Sequence, residues 1–219
     1  MPRLPRIILP EYPHHLTQRG NRKSDVFLDT EDRQIFLSLV EEHTQKNGIK
    51  VSSYCLMTNH FHLIVHPATK LGLSQGMHQI DGVYAEYFNQ KYKLTGHLWQ
   101  DRFFACVLDS SHFWKAVQYV ERNPVRAGLV SRAEKYQWSS AAAHCGQRCD
   151  PLLSEIPLPA PHDDWRAWLT EDLPEEEHER IRRAAQRGAP YASESFIREL
   201  ERLLNLRLLP RKPGPNSSS

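Results

Sequence analysis

The stretch IKVSSYCLMTNHFHLIVH, residues 49–66, decides how the chain folds. Two apolar runs, 49–57 and 60–66, stand on either side of Thr58 and Asn59, a pattern that predicts a tight β-hairpin. Successive side chains of a strand point to opposite faces, so Phe61, Leu63 and Val65 share one face and His60 and His62 share the other. Two imidazoles on one face can grip one metal ion. Taken alone, an H-x-H pair more often decorates a half-buried strand, and only the remaining sequence can separate the two readings.

Upstream of the hairpin, Ile35, Phe36, Leu39 and Val40 recur at helical spacing, which predicts a helix from Glu31 to Asn47 with Thr30 as its N-cap and Gly48 just past its end. Before it, YPHHLTQRGNR has strand composition and closes on a Gly-Asn turn. Downstream, Ser74 can cap a second helix that carries Met77, Ile80, Tyr84, Tyr87 and Phe88 on one face and reaches about Tyr92, although Gly76 and Gly82 weaken it. RFFACVLD, residues 102–109, is apolar enough for a fourth strand. A third helix begins at about Ser111, and Pro124 should stop it near Asn123, because the residue before proline is pushed away from helical angles.

The order β-α-β-β-α-β-α calls for an α+β fold of the ferredoxin-like kind, with four antiparallel strands and two helices on one face. The seventh element, which holds Tyr119, is then free to meet the other face of the sheet. Beyond Trp138 the character changes. PLLSEIPLPAP should be extended, EEEHERIRRAAQR a charged helix, SFIRELERLLNLRLL an amphipathic one, and LPRKPGPNSSS disordered. These shifts divide the chain into a domain at 1–149 and an extension at 150–219.

With 40% hydrophobic and 25% charged residues, the composition is that of an ordinary globular protein. No apolar run approaches the roughly 20 residues of a membrane-spanning helix, and MPRLPRIILPEYP lacks a signal-peptide core. The expected compartment is therefore cytoplasmic, with reduced thiols, Cys55 and Cys106 serving as core residues. Cys145 and Cys149 beside His144 are a weak signal for zinc. The net charge of +2 conceals an asymmetry: residues 150–179 carry −9, which leaves +11 on the rest. A surface of that kind can face phosphates, or can be unevenly solvated and nothing more.

In the third helix Phe113, Ala116, Val117 and Val120 form the apolar stripe, and Tyr119 points to its side with Asn123 one turn further on. A boundary tyrosine and a C-capping asparagine would look the same. Joined to His60 and His62, however, the pair suggests a definite chemistry. Two histidines and an Asn oxygen make three metal ligands with positions left open for a phosphate oxygen, and a tyrosine hydroxyl beside a cation can lose its proton during attack on phosphorus. The product would be a covalent phosphotyrosine, which keeps the energy of the broken bond for rejoining.

The H-F-H of NHFHLIV resembles the HUH motif of single-tyrosine transposases and relaxases, where U is a bulky hydrophobic residue. Together with YPHHLTQRGNR, CLMTNHFHLIV, GHLWQDRF and YVERNPVRAGLV followed by YQWSSA, the chain resembles the REP-associated tyrosine transposases of bacteria over about residues 2–144. The resemblance implies a ferredoxin-like fold, Tyr119 as nucleophile, His60 and His62 as metal ligands with Asn123 as the third, and a substrate of single-stranded or hairpin DNA. It also implies Mg²⁺ or Mn²⁺; manganese accepts both imidazole and oxygen donors and fits this ligand set better. The site of action would be the nucleoid, and the resemblance leaves monomer and homodimer both open.

Arg19, Arg22 and Lys23 near the N-terminus, and Arg102, Arg122 and Arg126 near the proposed site, are candidates for phosphate contacts. Trp99, Phe103 and Phe104 can stack on unpaired bases or fill the core. The competing function is a module that binds hairpin DNA without cutting it. A metal-dependent hydrolase of small phosphoesters fits less well, for want of a carboxylate-rich ligand set.

Overall fold

The computed structural model describes residues 6–156 and 164–208. Four strands, β1 (His14–Arg19), β2 (Ile49–Leu56), β3 (His60–Pro67) and β4 (Phe104–Val107), form one antiparallel sheet in the order β2-β3-β1-β4. The helices α1 (Thr30–Lys46) and α2 (Lys70–Tyr92) cover one face. This is the ferredoxin-like α+β arrangement expected from the element order. The hairpin at Thr58 and Asn59 forms as read, with Met57 N–H donating to His60 O at 2.9 Å.

Phe61, Leu63 and Val65 pack with Leu16, Phe27, Phe36, Val40, Ile80 and Tyr84 in the core beneath α1 and α2. Each fully buried Phe of this cluster stabilises the fold by about 2–3 kcal/mol relative to exposure.

The other face is not open. It is roofed by α3 (Ser110–Arg126), by the single turns α4 (Ala141–His144) and α5 (Trp165–Trp168), and by α6 (Glu175–Arg187), while α7 (Glu194–Leu204) packs against Ile7 and Leu9 near β4. Cys55, Ile64 and Cys106 of the sheet meet Phe113, Val117 and Val120 of α3 and Trp168, Ile181 and Tyr191 from beyond residue 150 in a second core. Residues on both sides of the division drawn at 149 therefore share one cluster. The segment 209–219, expected to be disordered, lies outside the described residues, as does the end of the proline-rich run from residue 157.

Three boundaries differ from the sequence reading. Asp29, not Thr30, caps α1, because Asp32 returns the bond and completes a capping box. Thr69, not Ser74, caps α2, accepting from Gly72 N–H at 2.9 Å. A Cβ on Gly72 would stand 2.4 Å from Asn47 O, so the glycine lets α2 start this early against the end of α1. Pro124 lies inside α3, which runs on to Arg126. In the last turn the missing N–H costs one bond, and Ala127 N–H to Asn123 O and Leu129 N–H to Pro124 O close the end before Gly128 leaves it at φ +69°.

Candidate active site

His60 opens β3 directly after the turn. Its Nδ1 lies 2.6 Å from Asn59 Oδ1, an acceptor, so the proton sits on Nδ1 and Nε2 keeps its lone pair. His62, two residues on and on the same face, is buried at 5% exposure, with Nδ1 2.8 Å from Nε2 of His15 on β1. The His60 and His62 rings stand 4.9 Å apart and nearly perpendicular at 83°. Burial lowers all three pKa values: that of His60 to about 4, helped by Arg19; that of His15 to about 3, helped by His60; and that of His62 well below its usual 6.5, helped by His60 and His15. At neutral pH the three imidazoles are uncharged, the form that ligates metals. α3 and α6 cover this face of the sheet.

Tyr119 comes down from α3 onto these histidines. Its ring centre is 5.8 Å from that of His62 and 6.0 Å from that of His15, and the phenol is buried at 8% exposure. The α3 stripe of Phe113, Ala116, Val117 and Val120 packs into the second core, which sets Tyr119 and Asn123 along one edge of the helix. The helix is held by Glu121, fully buried, whose carboxylate accepts from Ser140 Oγ, from Ser53 Oγ at 3.3 Å and from Trp165 Nε1 at 2.9 Å and meets His144 Nδ1. That bond occupies one of the two ring nitrogens of His144, the histidine considered with Cys145 and Cys149 for zinc.

His60, His62, Tyr119 and Asn123 line one cavity of about 640 Å³. All four residues come from a single chain. Neither Tyr84 nor Tyr136 lines this cavity: Tyr84 donates its hydroxyl to Val26 O at 2.5 Å and Tyr136 donates to Leu56 O at 2.8 Å.

The basic candidates divide. Arg19, Lys23 and Arg126 line the cavity. Arg22 is exposed in the turn beside it, with a left-handed φ of 54°, and exposed Arg102 borders a neighbouring cavity of about 620 Å³ together with Arg6 and Trp99. Arg122 is a correction. It is buried at 7% exposure, donates Nη1 to Leu169 O and pairs through Nε with Asp172 at 3.3 Å, so it ties α3 to the C-terminal segment and is not presented at the surface. Trp99 packs among Phe36, Phe61 and Tyr84 and donates Nε1 to Asp81 O, and Phe103 is buried beneath Arg6; Phe104 alone of the three aromatics lines the cavity.

Among the described residues no cluster of three or more His, Cys, Asp or Glu is disposed to hold a metal. What the cavity offers is two imidazoles and a carboxamide, and the polar atoms fit a cation. His62 Nε2 and Asn123 Nδ2 are both buried with no hydrogen-bond partner, and turning the carboxamide over puts Oδ1 where Nδ2 stands.

Four cavity residues or supports had no part in the sequence reading. His15 was visible in YPHHLTQRG, and its position two residues from Thr17 and four from Arg19 puts it on the cavity face by simple alternation. His178, fully buried with its ring centre 5.7 Å from that of Tyr119 and Nε2 2.8 Å from Asp172, carried no such local signal, nor did Arg182 and Gln186, which line the cavity from α6.

Residues 10–123 match the family model for IS200-like transposases, just over half of the chain and the part that carries every element from β1 to Asn123. The chain belongs to that family. Among solved structures it is similar to a REP-associated tyrosine transposase bound to a REP hairpin, with 17% identity, a TM-score of 0.56, and coverage of 74% of this chain and 96% of that one, a likeness of fold. A candidate transposase from Deinococcus radiodurans is also similar at 15% identity over 55% of this chain and 96% of that one, with a TM-score of 0.39. No curated protein matches the chain in sequence. Among the described residues no helix is long and apolar enough to cross a membrane.

Proposed function

We propose that the protein cleaves and rejoins single-stranded hairpin DNA of the REP type, as a metal-dependent transposase or site-specific endonuclease, through a covalent 5′-phosphotyrosine on Tyr119. The observation that carries this reading is the convergence of Tyr119 and Asn123 of α3 with His60 and His62 of β3 on one cavity rimmed by arginine and lysine.

In the proposed reaction Tyr119 Oη attacks a backbone phosphorus, the Oη–P bond forms, and the P–O3′ bond breaks to leave a free 3′ hydroxyl. A tyrosine hydroxyl, with an ordinary pKa of about 10, is a poor nucleophile at neutral pH. A bound Mg²⁺ or Mn²⁺ would supply Lewis-acid stabilisation of the charge that develops on the phosphate. His60, His62 and Asn123 would hold it, and His15 would keep the proton of His62 on Nδ1 so that Nε2 stays free to ligate. Rejoining is the reverse displacement, with a 3′ hydroxyl as attacker and Tyr119 as leaving group. Arg19, Lys23 and Arg126 would bind the strand through its phosphates, and the whole set within one chain supports a site that needs no second copy.

The test is to incubate the full chain with a 3′-end-labelled single-stranded hairpin and Mn²⁺ and then to denature it. A labelled band at the mass of a protein–DNA adduct is expected. Hairpin binding without adduct at any divalent metal would instead establish the non-cleaving module.

A further inference from the structure

The rim of the cavity carries an arrangement of which the reaction above uses only Arg126. α6 lies beyond the family-matched segment, which ends at residue 123. Its buried residues His178, Ile181, Ala184 and Ala185 fix its orientation, and that orientation brings Arg182 and Gln186, four residues apart, to the cavity. From the last turn of α3, Arg126 reaches the same rim.

Both arginines converge on Glu175, the first residue of α6. Arg126 Nη2 is 3.1 Å from Glu175 Oε2, and Arg182 Nη2 is 3.9 Å from Glu175 Oε1. The Glu175 side chain is 65% exposed, so the carboxylate is held by pairs of the kind worth about 0–1 kcal/mol and can swing into solvent. Asp172 Oδ2 also lies 3.6 Å from Arg126, but Asp172 is tied to Arg122 and His178 and stays in place. A phosphodiester offers two non-bridging oxygens and one negative charge, the same pattern a carboxylate offers to a guanidinium fork.

We propose that Arg126 and Arg182 form a two-arginine clamp for a backbone phosphate of the bound strand, and that Glu175 is the exchangeable anion that occupies it in the free protein. The clamp rests on the reading of the chain as a protein that acts on single-stranded DNA. Binding then exchanges one anion for another, and the C-terminal extension contributes directly to substrate affinity.

The experiment measures hairpin DNA binding by fluorescence anisotropy with the full chain in EDTA, so that the strand stays intact, across a salt series. Arg182→Ala should weaken binding about fivefold and flatten the log–log salt dependence by about 0.7, the share of one phosphate contact on a single strand. Arg182→Lys should recover part of both. Glu175→Gln should tighten binding about threefold, within what an exposed ion pair allows, and should lose that effect in the Arg182→Ala background. Unchanged affinity in Arg182→Ala, or weaker binding in Glu175→Gln, overturns the clamp. If the unmodified chain fails to bind hairpin DNA at all, the functional reading falls and takes the clamp with it.

Discussion

Replacing His15 with phenylalanine tests whether the cavity is a metal site without touching a proposed ligand. His15 is buried at 1% exposure, and its Nε2 is the hydrogen-bond partner of His62 Nδ1, at 2.8 Å. Phenylalanine keeps the ring contact with Tyr119 and removes the nitrogen. Two effects follow. The His62 Nδ1–H is left buried without an acceptor, which costs about 1–3 kcal/mol and is partly offset because one polar imidazole no longer has to be buried. His62 also loses the bond that keeps its proton off Nε2, and loss of such an outer partner typically weakens metal affinity by about 10- to 100-fold. Mn²⁺ titrations, read by calorimetry and by the metal concentration that half-saturates adduct formation, should shift to the right by that factor, while hairpin binding in EDTA stays as it was. An unchanged Mn²⁺ dependence in a folded His15→Phe protein would refute the assignment of His62 as a ligand oriented from β1.

Tyr119→Phe should abolish the covalent adduct and leave hairpin binding, with mass spectrometry of any linked peptide as the check. Glu121→Ala leaves His144, Trp165 Nε1–H and two serine hydroxyls without their shared acceptor, and should lower stability in urea by about 3–5 kcal/mol. Acid should destabilise the metal-free protein: His14, His15 and His60 are held neutral by burial down to about pH 3–4, the unfolded chain takes up protons near 6.5, and so thermal stability falls as pH drops from 7 toward 4. Truncation after Cys149 spares the first core except Leu152 but strips Trp168, Leu169, Ile181, Ala184 and Tyr191 from the second. The truncated chain should lose only the far-UV helical signal of α5, α6 and α7, melt lower, and lose the adduct.

The hairpin, the sheet and the pairing of His60 with His62 were legible because each depends on alternation over a few residues. Cap positions were less so, since Asp29 and Thr30 both suit the role and only the reciprocal bond from Asp32 chooses between them. Pro124 misled because its cost depends on how much helix follows, and here only Val125 and Arg126 do. The helix edge that Tyr119 and Asn123 share follows from their spacing. His178 and Arg182 could not be found that way, because their placement rests on bonds across about fifty residues, such as Gln118 Nε2 to Trp168 O and Arg122 to Leu169 O, which leave no periodic trace.

The two faces of the sheet explain why the polar groups gather where they do. Beneath α1 and α2 the sheet presents Leu16, Phe61, Leu63 and Val65, an apolar surface. The opposite face alternates apolar residues with His15 and His62, and its roof is assembled from α3 and α6. Where these helices meet, Arg122 with Asp172 and Arg126 with Glu175 add polar pairs to the apolar contacts of the second core. The exposed pair of Arg126 and Glu175 can exchange partners with an anionic strand, whereas the apolar part of the joint could not open without exposing core. The cavity lies at that joint, so the same polar seam that binds the extension to the transposase fold would also give a phosphate its route to Tyr119.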